Sequence, residues 1–183
     1  MRYIFFLILT FLVQPVLAEE WEDQQFFGSA TSQKTLRILS NTDTRFFAPI
    51  IESFLKSQPS VSVKYLVTGS AELYDIFRTS SEDFDVVISS AMYLQFKLVN
   101  DGYALALGDL EHPDWAQWRE SLFAFSTEPA TIVINREAFE GVPTPSSRQD
   151  LIKALRQRPE TFQGRVGTYD VRHSGLGYFF ATQ

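Results

Sequence analysis

Three hydroxyl-bearing turns carry most of the chemistry open to this chain. They are Asn41-Thr42-Asp43-Thr44, Thr68-Gly69-Ser70-Ala71 and Ser89-Ser90-Ala91, and each opens a helical pattern. Each also follows an apolar run: Leu36-Arg37-Ile38-Leu39-Ser40, Val61-Ser62-Val63-Lys64-Tyr65-Leu66-Val67 and Phe84-Asp85-Val86-Val87-Ile88. In a parallel α/β sheet, turns of this kind lie at the carboxyl edge of the strands, where open sheets bind ligands. The first N–H groups of a helix lack intrahelical partners and sit at the positive end of its dipole, so they hold anions and polar groups. A fourth start of the same kind is Asp170-Val171-Arg172-His173-Ser174-Gly175, after the run Arg165-Val166-Gly167-Thr168-Tyr169. There the amides of Ser174 and Gly175 can take an anionic group, and Arg172 can add a bidentate contact to phosphate or carboxylate. Each residue has a plainer alternative. Ser and Thr cap helices everywhere, Asp170 can serve as an N-cap, and Arg172 and His173 can be surface side chains. Asp85, at a strand start, suits organising backbone better than holding a ligand.

Catalytic constellations are missing. There is no Gly-x-Ser-x-Gly elbow, no His-Glu-x-x-His and no Walker loop. Gly175-x-Gly177 is half of a dinucleotide fingerprint and falls after the helix start, which makes it a weak signal. With no cysteine there is no thiolate chemistry, no disulfide framework and no lipid-anchoring cysteine. His112 and His173 form no metal-ligand spacing. A binding protein without a cofactor is therefore expected, rather than an enzyme. The 22 acidic and 16 basic residues give a net charge of −6, which argues against nucleic acid and anionic membranes as partners. A small anionic ligand still fits, because helix N-termini and one or two arginines can bind it inside an acidic protein.

The elements that must position these residues follow from periodicity. Residues 1–18 read as a cleaved signal peptide: Arg2, an apolar core from Ile4 to Val13, then Val16-Leu17-Ala18, with cleavage before Glu19. Residues 19–34 are polar and read as a flexible lead-in. Phe47, Ile50, Ile51, Phe54 and Leu55 recur at helical spacing and predict a helix over 44–57 capped by Thr44. Further helices are expected from Ser70, over 91–100, over 148–157 and from Ser174 onward. Strands are expected at 103–107, 122–125, 130–135 and 165–169.

The order of these segments resembles the type II periplasmic solute-binding proteins of ABC transporters. The segments that carry the likeness are Leu36–Ser40 with its turn, Thr68-Gly69-Ser70-Ala71, Asp85-Val86-Val87-Ile88-Ser89-Ser90, and the run at 130–135. Gly167-Thr168-Tyr169-Asp170-Val171-Arg172-His173-Ser174-Gly175-Leu176-Gly177-Tyr178 is similar to the branch that binds ferric iron or phosphorylated metabolites. The resemblance implies an α/β fold of two lobes around a cleft. Lobe one matches 35–125, while 126–183 would be the hinge crossing and an incomplete start of lobe two, so an N-terminal fragment is expected. It implies that Thr42, Ser70 and Ser90 line one wall, and that Tyr169, Arg172, Ser174 and Gly175 line the other. Ferric-binding relatives use adjacent tyrosines, and no Tyr-Tyr pair occurs here, so metal ligands stay open. The implied role is a periplasmic, monomeric substrate-binding component that hands a small anionic solute or ferric complex to an ABC permease. The alternative is a sensor of the same fold acting on a membrane kinase.

Overall fold

A computed structural model describes residues 21–108, 110–127 and 131–182; the expected signal peptide lies outside the described residues. Three parallel strands form the centre: β2 (Lys34–Ser40), β3 (Val61–Val67) and β4 (Val86–Ile88). β1 (Asp23–Phe27) joins antiparallel to β3, giving the order β1-β3-β2-β4. Successive parallel strands are connected through helices, as parallel connections require. Between β2 and β3 runs α1 (Thr44–Ser57), between β3 and β4 runs α2 (Ser70–Thr79), and α3 (Met92–Asn100) follows β4.

Side-chain alternation along the strands separates two cores. Ile38, Val63, Tyr65 and Val67 face α1 and meet Ile51, with Phe47 and Leu55 packed beside them. Leu39 and Leu66 face the other way and meet Leu73, Phe77, Phe84 and Leu98. Helices therefore cover both faces of the sheet, and buried parallel strands need that cover. The registers align Ser40 with Val67 and with Ile88, so the three parallel strands end at one level. Asp85 does organise backbone: its carboxylate accepts the Arg37 backbone N–H at 2.8 Å and pairs with the Arg37 guanidinium at 3.0 Å.

Several sequence expectations need correction. The expected lead-in contains β1, whose residues are exposed apart from Phe27. An edge strand with little apolar pattern is hard to recognise without its partner. Thr44 does not cap α1; it is the first helical residue, is buried, and its Oγ1 has no hydrogen-bond partner, while Asp43 holds the cap position. Ile50 and Phe54 point outward, because the packed stripe of α1 runs through Phe47, Ile51 and Leu55. The segments 103–107, 131–135 and 165–169 are not strands. The expected run at 122–125 shortens to β6 (Leu122–Phe123), paired with β5 (Gln117–Trp118).

Residues 131–182 hold α4 (Arg148–Gln157), α5 (Pro159–Phe162) and α6 (Gly175–Ala181). Their shared core is small: Phe139, Ala154 and Phe162, with Phe139 and Phe162 rings 5.0 Å apart. An open apolar groove of about 460 Å³ runs beside it, lined by Ile132, Ile134, Leu151, Leu155 and Val166. No described helix is long and apolar enough to cross a membrane.

Candidate functional site

Because β2 lies between β3 and β4, its turn is the middle one of the three. Asn41, the first residue of that turn, reaches both neighbours. Its Nδ2 donates to Ser70 Oγ at 2.7 Å and to Ser90 Oγ at 2.9 Å, and its Oδ1 accepts the Ser90 N–H at 3.3 Å. The turns are also tied through backbone, Thr68 N–H to Ser40 O at 3.0 Å and Asn41 N–H to Ile88 O at 3.2 Å. Both hydroxyls that accept from Asn41 keep their own protons available for donation. Sequence reasoning missed Asn41 as the hub. Its signal was the residue type, a side chain with two donors and an acceptor in a turn between hydroxyl-bearing turns.

Beneath the hub, Tyr65 anchors the middle turn. Its hydroxyl lies 2.7 Å from Ser40 Oγ and 2.9 Å from the Thr42 carbonyl, its single proton shared between them. Ser40 Oγ also accepts the Thr42 N–H at 3.0 Å. Burial raises the Tyr65 pKa above the ordinary phenol value, partly offset by the Ser40 hydrogen bond, so the ring remains a neutral donor. Ser40 and Tyr65 are fully enclosed, and Phe47 stacks on the Tyr65 ring at 5.6 Å.

None of α1, α2 or α3 has a side-chain N-cap hydrogen bond. The plainer alternative for Ser70 and Ser90 therefore does not hold; their hydroxyls serve Asn41, and the first-turn amides of α2 and α3 lack side-chain acceptors. Thr42 contributes backbone, its N–H and carbonyl both engaged by the Ser40–Tyr65 pair. Ser70 is buried, Asn41 and Thr42 are half-buried, and Ser90 is exposed. Glu72, in the first turn of α2, bends back so that its carboxylate fills the space beside Gly69. That carboxylate complements the helix dipole. The arrangement as a whole offers hydroxyl and amide donors to a ligand rich in acceptors.

The fourth start meets this edge directly. Gly175, first residue of α6, packs against Ala91, and Tyr178 stacks on Tyr93 with ring centroids 4.7 Å apart. His173 Nδ1 lies 3.6 Å from Glu72 Oε1, an ion pair only when the imidazole is protonated. Ser174 caps α6, accepting the Gly177 N–H at 3.1 Å. Arg172 is engaged by Asp170: its Nη2 and Nε donate to the two carboxylate oxygens at 2.7 and 3.1 Å. That pairing, above all the side-chain hydrogen bond, holds the Asp170 carboxyl far below the usual carboxylate range. Tyr169 is exposed, and its Cβ lies against Gly177. The structure thus brings the Ser90 turn and the Ser174–Gly175 start together, while Arg172 is satisfied within its own loop. His112 is structural: its Nε2 lies 3.0 Å from the carbonyls of both Ala116 and Ala124. Among the described residues no group of three or more metal-ligating side chains occurs.

Similarity to solved structures bears on this arrangement. The substrate-binding protein of an ABC transporter from Agrobacterium tumefaciens superposes with a TM-score of 0.80 and 32% sequence identity. The match covers 87% of this chain and 50% of that one, so the chain spans about half the length of the protein it matches. The α/β fold is that of a substrate-binding protein, and the matched structure is a binding protein rather than an enzyme. No family model matches the sequence, and no curated protein matches it.

Proposed function

We propose that this chain forms one wall, and part of the facing wall, of the solute site of a periplasmic substrate-binding component of an ABC importer. The likeness to the Agrobacterium protein supports the class. The observation that carries the solute chemistry is the Asn41 hub: two serine hydroxyls with free protons beside two uncapped helix starts, all at one level of the sheet. Hydroxyl and amide donors gathered at two helix starts suit a small oxyanion or phosphorylated metabolite. Thr42, Ser70 and Ser90 would belong to this wall; Tyr169, Arg172, Ser174 and Gly175 would belong to the other. Arg172 would exchange Asp170 for the solute, a trade of one anionic partner for another. Capture would proceed by closure of the walls, followed by delivery to a membrane permease.

Calorimetry with inorganic phosphate, glycerol phosphate and citrate as probes tests this. Binding of at least one probe is expected, weakened about tenfold or more by Ser70→Trp with circular dichroism unchanged. If no probe binds, or if Ser70→Trp leaves the affinity where it was, the assignment of this edge is wrong.

A further inference from the structure

The contact between Gly175 and Ala91 has a consequence for how the two walls meet. A Cβ built on Gly175 would come within 2.9 Å of the Ala91 Cα and closer still to the Ala91 Cβ. Real Cβ atoms do not approach carbon that closely, and the obstacle is backbone and a methyl, neither of which can swing aside. Gly175 shows no positive φ, so backbone freedom is not what asks for glycine here. The demand comes from Ala91, across the seam.

Two further contacts span the same seam on either side. Tyr93 and Tyr178 stack with an interplanar angle of 32°, and His173 faces Glu72. Burial raises the Tyr93 pKa, with Tyr178 adding to the effect, so the Tyr93 phenol stays protonated at this contact. The seam joins the segment 173–178 to the starts of α2 and α3, immediately beside Ser90.

We propose that Gly175 is a closure-determining residue: its missing side chain lets α6 seat on Ala91, and this seat sets how closely the two walls of the site approach. Any side chain at 175 holds the walls apart, opening the Tyr93–Tyr178 stack. The consequence that the site admits only a small solute rests on the function proposed above; the seat itself does not.

A cross-linking experiment needs no solute, so its failure is distinguishable from failure of that function. The chain has no cysteine, so Tyr93→Cys/Tyr178→Cys provides the only thiols. A short bifunctional maleimide is expected to link them within one chain, seen as a faster band on a denaturing gel. Adding Gly175→Val should slow linking about tenfold, and Gly175→Ala should slow it less. Ala91→Gly in the Gly175→Ala background should restore part of the rate, since it removes the nearer of the two obstructing atoms. Equal linking with Gly, Ala and Val at 175 overturns the proposal, as does failure of the parent pair to link. If the Val variant loses its circular dichroism, the Ala variant and its rescue decide the matter alone.

Discussion

Residues 21–103 and residues 131–182 are built from similar local pieces, yet they are stabilised very differently. The first region buries Leu39, Val63, Tyr65 and Leu73 completely, between helices on both faces of one sheet. The second gathers Phe139, Ala154 and Phe162 among short helices and leaves Val133 90% exposed. One region gathers the donors around Asn41; the other meets it along the seam at Gly175. What differs is the support beneath each helix start. Three strands end beneath Asn41, and none ends beneath Gly175.

Breaking the stronger region should have the largest effect. Leu39→Ala removes a side chain enclosed in the sheet and is expected to lower stability by about 2–5 kcal/mol, read from urea unfolding. Phe139→Ala should instead dissolve the packing of α4 and α5 while the main unfolding transition stays in place. A shift of the main transition as large as that of Leu39→Ala would abolish the contrast between the regions.

Smaller changes sharpen it. Asn41→Ala removes three hydrogen bonds at the hub and should cost about 1–2 kcal/mol, with faster amide exchange at Ser90. Tyr65→Phe removes one shared hydroxyl and should cost about 1 kcal/mol in the same urea assay. If Asn41→Ala is silent while Tyr65→Phe is not, the edge is held from below rather than from its centre.

The smallest effect concerns Asp85, whose pKa is lowered first by its side-chain hydrogen bond with Arg37. A carboxyl with a depressed folded pKa stabilises the fold above its unfolded value of about 3.9, and that contribution fades as the pH falls toward the folded value. Asp85→Asn should therefore lose a little stability at pH 7, and its urea midpoint should fall less between pH 5 and pH 3 than that of the parent. An identical pH slope in both proteins would show that the pair contributes nothing.

Much of the first region, and α4 of the second, was legible from the residues. β3, α1 and α4 occupy the spans their periodicity predicts, because apolar spacing within ten or so residues is local information. Strands were less legible in both directions. β1 escaped notice because its side chains are largely exposed, and only the pairing of Asp23 with Val67 through Phe27 with Val63 makes it a strand. Residues 103–107, 131–135 and 165–169 have strand-forming composition but join no ladder among the described residues, and Leu105 is 86% exposed. β-propensity describes fitness for a sheet surface and cannot create the sheet.

The three strand–turn–helix units, the hydroxyls in their turns and the absence of nucleophile-elbow, His-Glu-x-x-His and Walker motifs can be read from the residues alone. Those properties depend on residue type and short spacing. Tertiary structure decided which turn stands in the middle, and so which residue organises the edge. Had β3 been central, a residue of the Thr68–Ala71 turn would have held that place. With the order β3-β2-β4 the central residue is Asn41, because only from there can one amide reach Ser70 and Ser90 together. Tertiary structure also made Gly175 matter, through a methyl group 84 positions earlier in the chain that no local pattern connects to it.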